Sequence, residues 1–69
     1  MAKFYNPKNK IREVRQRKNM TQDEIYLKVG IHQARLSKLE RGIFEPNEKE
    51  RKLLIEALEA SEKELFPEA

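Results

Sequence analysis

The side chains that offer the most chemistry lie in one short segment, residues 32–38. The segment reads HQARLSK and contains imidazole, amide, guanidinium, hydroxyl and ammonium groups. Amides and hydroxyls can exchange hydrogen bonds with the edges of bases, and arginine and lysine bind phosphates. A catalytic centre is not predicted, because the chain has no cysteine and a single histidine. We therefore expect a binding protein that needs no metal or cofactor, and not an enzyme.

The charge of the chain is unevenly divided. Residues 1–45 contain 11 lysines and arginines and 5 acidic residues, whereas residues 46–69 contain 4 and 7. A basic part beside an acidic part favours a polyanion as the partner. A charge-rich, solvated surface without such a partner is the alternative, and charge alone does not separate the two.

The elements that would position this segment are helices, and capping boxes predict where they begin. In a capping box a short polar side chain accepts a bond from the backbone three residues later, where a glutamate reaches back. The boxes are Thr21-Gln22-Asp23-Glu24, Asn47-Glu48-Lys49-Glu50 and Ser61-Glu62-Lys63-Glu64. A further start is predicted at Asn6-Pro7 and a helix end at Gly42. With apolar residues spaced by three and four, these signals predict five helices near 7–18, 22–29, 33–40, 48–58 and 62–66.

No stretch alternates apolar and polar residues, so the predicted fold class is all-α, and 69 residues form a single domain, 1–69. No apolar run is long enough to span a bilayer, and no signal peptide follows the first basic residues. We therefore expect a cytoplasmic protein with no membrane partner.

Only Gly30, Ile31 and His32 separate the second and third predicted helices. So short a turn makes the two helices cross steeply. Ile25, Val29, Ile31, Leu36 and Leu39 are expected to fill the angle between them. The polar face of the third helix, with segment 32–38, then points outward. An ordinary antiparallel pair with a polar outside is the alternative reading.

The run TQDEIYLKVGIHQARLSKLERG, residues 21–42, resembles the helix-turn-helix of the Cro/repressor family, also called Xre-like regulators. The similarity extends from about Ile11 to Phe66. It implies a compact, five-helix, phage-repressor-like domain, with a helix-turn-helix formed by helices 2 and 3 at about residues 22–39. It also implies that the partner is double-stranded DNA, with helix 3 in the major groove.

The resemblance implies a role for individual residues. Those that match base-reading positions are Gln33, Ala34, Ser37 and Lys38. Those expected at the DNA backbone are Gln22, His32, Arg35, Arg41 and the amide of Gly42. Arg15 and Glu40 match a partly buried ion pair that joins helices 1 and 3, and Gln22 is expected to brace Gln33 with a hydrogen bond.

The sequence also departs from the family pattern. Tyr26 stands where alanine is usual, so its ring is expected at the edge of the helix pair. His32 stands where a capping residue is frequent, and we expect it to cap helix 3 or to reach a phosphate. Glu59 replaces a frequent glycine, which predicts a strained or altered turn after helix 4.

Aromatic residues outside the helix-turn-helix leave alternatives open. Phe4 and Tyr5 are expected to staple the first helix to the core, rather than to form an arm in the minor groove. Phe44 is expected either at a dimer contact, beside a dimer surface around residues 53–62, or as a lid on the core.

The leading hypothesis is a transcriptional repressor that binds an inverted-repeat operator as a homodimer. An antitoxin of a toxin–antitoxin pair shares the fold and is the second hypothesis. A protein-interaction module that has lost DNA binding is the third hypothesis. Such a module would be expected to lack basic residues on the face of helix 3 that enters the groove, and this sequence has them.

Overall fold

The computed structural model of the chain describes residues 9–67. These residues form five helices: α1 (Ile11–Arg17), α2 (Gln22–Val29), α3 (Gln33–Glu40), α4 (Glu48–Leu58) and α5 (Glu62–Leu65). Between 9 and 67 there is no strand, which confirms the all-α prediction. No helix in the described part of the chain is long and apolar enough to cross a membrane.

The capping boxes explain why α2, α4 and α5 begin where the sequence predicts. All three boxes form, with the side chain and the backbone of each pair bonded in both directions. At α2, for example, Thr21 Oγ1 accepts from the Glu24 N–H at 3.0 Å, and Glu24 Oε1 accepts from the Thr21 N–H at 2.7 Å. Because each box satisfies two backbone N–H groups locally, these helix starts depend little on the rest of the fold.

The start of α1 was predicted too early. Asn9 and Lys10 are not helical, while the predicted start at Asn6-Pro7 lies outside the described residues, as do Phe4 and Tyr5. The Asn9 side chain sets the beginning instead: its Oδ1 accepts from the Ile11 N–H at 3.1 Å, and its Nδ2 donates to the Leu39 carbonyl at 2.9 Å. The second of these bonds is a contact with α3, and its two residues are 30 positions apart in the sequence.

The helices enclose one apolar core. Its fully buried side chains are Ile11, Val14, Ile25, Leu36, Leu39, Leu54, Leu58 and Leu65. Helix α2 packs on α3 and α4, while α1 packs on α4 and α5. The residues expected between α2 and α3 lie there, since Ile31 is also buried and Val29 packs against the core.

Four of the described residues take the left-handed backbone conformation, Asn19, Gly30, Gly42 and Glu59. Two of them, Gly30 and Glu59, form the turns that end α2 and α4. Gly30, between α2 and α3, has φ +82°, which glycine adopts without steric cost. Glu59, after α4, has φ +52°, so the turn keeps the shape that suits glycine although a glutamate occupies it. For a residue with a Cβ this conformation costs roughly 1–2 kcal/mol, and the strain expected at Glu59 is therefore present.

These two turns give a matched pair of stability predictions. Glu59→Gly relieves the strain and should raise the free energy of unfolding by about 0.5–1 kcal/mol, after the greater freedom of glycine in the unfolded chain is subtracted. Gly30→Ala should lower it by about 0.5–1 kcal/mol, after the smaller freedom of alanine in the unfolded chain is subtracted; the loss is conformational alone, because an added Cβ there meets no atom within 4 Å. Urea denaturation of the two variants measures both. A Glu59→Gly variant less stable than the parent protein would contradict this account.

Candidate nucleic-acid interface

Helix α3 divides sharply into a buried side and an exposed side. Leu36, Leu39 and Glu40 are buried, with at most 3% of each residue exposed. The four residues predicted to read bases are all at least partly accessible: Gln33, Ala34 and Lys38 are exposed, and Ser37 is half-buried. Their positions in the helix, the first, second, fifth and sixth, place them along one stripe. Burial of the opposite side therefore fixes which side of α3 faces outward.

The N-terminal end of α3 is held by a cap and a ring contact. His32 Nδ1 accepts from the Ala34 N–H at 3.3 Å, so His32 is the N-cap, one of the two roles expected for it. The ring of Tyr26 meets the His32 imidazole edge-on, with 5.4 Å between centroids and 65° between planes. Tyr26 is exposed at the edge of the α2–α3 pair, where its size predicted it.

Gln33, the first residue of α3, is held by Asp23 and not by Gln22. Gln33 Nε2 donates to Asp23 Oδ1 at 3.2 Å. The expected brace from Gln22 is wrong, because Gln22 Nε2 donates instead to the buried Glu40 carboxylate at 3.1 Å. A buried carboxylate is a stronger acceptor than the neutral amide oxygen of Gln33, which explains why the Gln22 amide donates to Glu40.

A buried ion pair fixes the C-terminal end of α3 to α1. Arg15 Nε and Nη2 donate to the two carboxylate oxygens of Glu40, at 2.6 and 3.2 Å. The side chains are only 11% and 3% exposed. Arg15 Nη1 also donates to the Met20 carbonyl at 2.8 Å. Together with Gln22, these bonds form a network that joins α1, α2 and α3.

An open cleft of about 320 Å³ lies beside this network. Its lining combines one further arginine, Arg12, with five residues that were assigned a role from the sequence: Arg15, Gln22, Ser37, Glu40 and Arg41. The one carboxylate of the lining is already paired with Arg15, and the exposed Arg41 adds a positive charge to the cleft. A site of this charge at the end of the exposed stripe suits a phosphate group. The sequence did not predict that Arg12 lines this cleft, because no motif or spacing distinguishes this position on α1.

Besides Gln22 and His32, two more of the residues expected at the DNA backbone already have partners within the protein. The Gly42 N–H donates to the Leu39 carbonyl at 3.2 Å. Arg35 Nε and Nη2 donate to both carboxylate oxygens of Glu50 at 2.9 and 3.0 Å. Contacts of Gly42 and Arg35 with DNA stay predictions. Arg35 keeps the N–H groups of Nη1 for a phosphate, whereas the single backbone N–H of Gly42 would have to be shared between Leu39 and the DNA.

The Arg35–Glu50 pair was not predicted, and it ties the middle of α3 to the start of α4. The guanidinium lowers the pKa of the Glu50 carboxyl from its ordinary value of 4.5, and the Asn47 backbone N–H lowers it further. The lowered pKa means that the pair stabilises the fold above pH 4.5 and that this stabilisation is lost as the pH falls through the lowered value. Phe44 is exposed, and its ring centroid lies 5.1 Å from the Arg35 guanidinium carbon and 5.5 Å from Lys38 Nζ.

The buried ion pair generates a stability prediction. Glu40→Ala leaves the Arg15 guanidinium buried without its carboxylate partner and should lower the free energy of unfolding by about 3–5 kcal/mol. Glu40→Gln keeps the shape and one acceptor and should lose less. The control is Glu62→Ala, because Glu62 is 60% exposed in its pair with Arg51 and its loss should stay below about 1 kcal/mol. Chemical denaturation monitored by circular dichroism decides, and a Glu40→Ala loss as small as that of the control would show that the pair contributes little.

Comparison with known proteins agrees with this geometry. The helix-turn-helix family model matches residues 11–65, which span all five helices. No curated protein and no solved structure matches the chain. Because the family model covers most of the sequence, the chain belongs to the Cro/Xre-type helix-turn-helix family of DNA-binding transcriptional regulators.

Proposed function

We propose that the protein binds a specific sequence of double-stranded DNA as a homodimer, with α3 in the major groove, and represses transcription there. The observation that carries the proposal is the exposed stripe of α3. It presents an amide, a methyl, a hydroxyl and an ammonium group, which between them can donate to and accept from base edges and contact the methyl group of thymine. Occupation of a promoter by such a dimer excludes the polymerase, and this is why we infer repression.

Base reading is assigned chiefly to Gln33. An amide offers one acceptor and a donor together, which match the amino group and N7 of adenine in the major groove. Ala34 is placed to meet a thymine methyl, and Ser37 and Lys38 lie one turn further along the same stripe. Their shorter or more flexible side chains leave Gln33 as the residue with the most specific pattern of bonds.

Backbone binding is assigned to the basic cleft at the other end of the stripe. Gln22, Ser37 and Arg41 line that cleft. Arg41 is exposed directly after α3, so its guanidinium can approach a phosphate without breaking the buried network. Such contacts fix the position of a protein on the duplex but carry little sequence information.

The dimer surface we propose lies around residues 53–62, with Phe44 at its edge. Leu53 and Ile55 are half-buried there, while Ile43 and Phe44 are 48% and 43% exposed in the loop before α4. A single helix contacts few base pairs, so two copies related by two-fold symmetry give the necessary specificity.

The two kinds of contact predict different losses. Gln33→Ala should cost about 1–3 kcal/mol on the preferred site, selected from a random DNA library, and relax the preference at one base pair in each half-site. Arg41→Ala should weaken binding to all sequences alike and reduce the slope of log affinity against log salt by about one unit. Fluorescence anisotropy on single-base variants of the site, at several salt concentrations, measures both. A protein that binds no duplex, or binds with an affinity independent of salt, would contradict the proposal.

The dimer predicts the spacing of the operator. Two-fold symmetric copies place their α3 helices about 34 Å apart, so the half-sites should be inverted and centred about 10 base pairs apart. An insertion of five base pairs between the half-sites turns one to the opposite face of the DNA and should abolish cooperative binding. An affinity that the insertion leaves unchanged, or an equal affinity for one isolated half-site, would show that the protein acts as a monomer.

A further inference from the structure

The contact between Asp23 and Gln33 joins the first turns of α2 and α3 at the end of the exposed stripe. Both side chains are exposed, and Gln33 Nε2 lies 3.2 Å from Asp23 Oδ1. An ionised carboxylate only accepts hydrogen bonds, so the atom of Gln33 that faces it must be the nitrogen. Asp23 therefore fixes which way round the Gln33 amide lies.

The bond also limits what the Gln33 amide has left to offer. Glutamine carries one carbonyl oxygen and two N–H donors, and Asp23 engages one of those donors. The oxygen and one N–H remain. Adenine presents an N6 donor and an N7 acceptor in the major groove, whereas guanine presents two acceptors, N7 and O6. The remaining groups therefore satisfy adenine, but guanine would require both N–H donors.

We propose that Asp23 is a specificity-determining positioning residue, which holds the Gln33 amide in the orientation that selects adenine over guanine. The inference rests on the proposed function, in which Gln33 reads a base. The Asp23 charge also repels nearby phosphates, so the same residue lowers affinity for DNA of any sequence while it raises discrimination at one base pair.

A merely structural role for Asp23 makes a different prediction. Asp23 lies in the first turn of α2, where a negative charge stabilises the helix through its dipole. Removal of that charge alone would change the free energy of unfolding and the affinity for all DNA sequences. It would leave the ratio of affinities for adenine and guanine unchanged.

The test compares three variants on duplexes that carry adenine or guanine at the base pair identified by Gln33→Ala. Asp23→Ala should bind random-sequence DNA more tightly, yet its adenine-to-guanine ratio should fall about fivefold, the factor that one ordinary hydrogen bond contributes. Asp23→Asn offers Gln33 both a carbonyl and an NH2 group, so it no longer fixes the orientation of the amide, and its ratio should fall as well, by no more than that of Asp23→Ala. Glu24→Gln is the matched control, because it removes the neighbouring charge and preserves the capping box with Thr21; its ratio should not change.

An unchanged ratio in Asp23→Ala would overturn the inference. So would a fall of equal size in Glu24→Gln, since loss of charge and not of orientation would then be the cause. If Gln33→Ala alters the preference and Asp23→Ala does not, only this inference fails. If Gln33→Ala alters no base preference, the assignment of Gln33 as reader fails, and the inference fails with it.

Discussion

The buried pair of Arg15 and Glu40 is the constraint on which the helix-turn-helix depends. A carboxylate with 3% exposure is tolerated only when its oxygens are hydrogen-bonded and its charge is balanced. Glu40 meets both conditions with two bonds from Arg15 and one from Gln22. The three residues lie on three different helices, so the requirement to satisfy one buried charge sets how α1 and α2 meet the end of α3.

The other end of α3 is held by a different side chain. The Gln22 amide bonds to Glu40 inside the network, and the side chain that contacts Gln33 is the adjacent Asp23. The middle of α3 is held separately, by the bond of Arg35 to Glu50 at the start of α4. Polar contacts therefore hold α3 at its beginning, middle and end, while its apolar side packs into the core. These contacts fix the position of the helix that carries the exposed stripe, which suits readout of base edges by short hydrogen bonds.

The sequence predicted best what is decided locally. The bounds of α2, α3 and α4 agree with prediction, because capping boxes and a glycine turn satisfy backbone groups within a few residues. The start of α1 was wrong because Asn9 is held partly by the Leu39 carbonyl, a contact that no local pattern reveals. The ion-pair partners of long side chains were harder still to predict from the sequence. The Arg15–Glu40 pair was expected only through family resemblance, and Arg35–Glu50 was missed because several acids lie within reach of a flexible arginine.

The acidic residues near α3 bear on the difference between affinity and specificity. Phosphate contacts strengthen binding to every sequence, so they do not help a protein find one site among many competing ones. Two arginines of this region are already neutralised, Arg15 by Glu40 and Arg35 by Glu50, and Asp23 adds a negative charge at the start of the stripe. On the proposed function, each of these carboxylates weakens binding to random DNA, whereas the hydrogen bonds of the stripe to the correct bases are kept. Since specificity is the difference between the two affinities, charges that reduce the attraction to all DNA alike leave the discrimination unchanged, and on the proposed function the discrimination comes from the hydrogen bonds of the stripe, whose geometry these carboxylates help to fix.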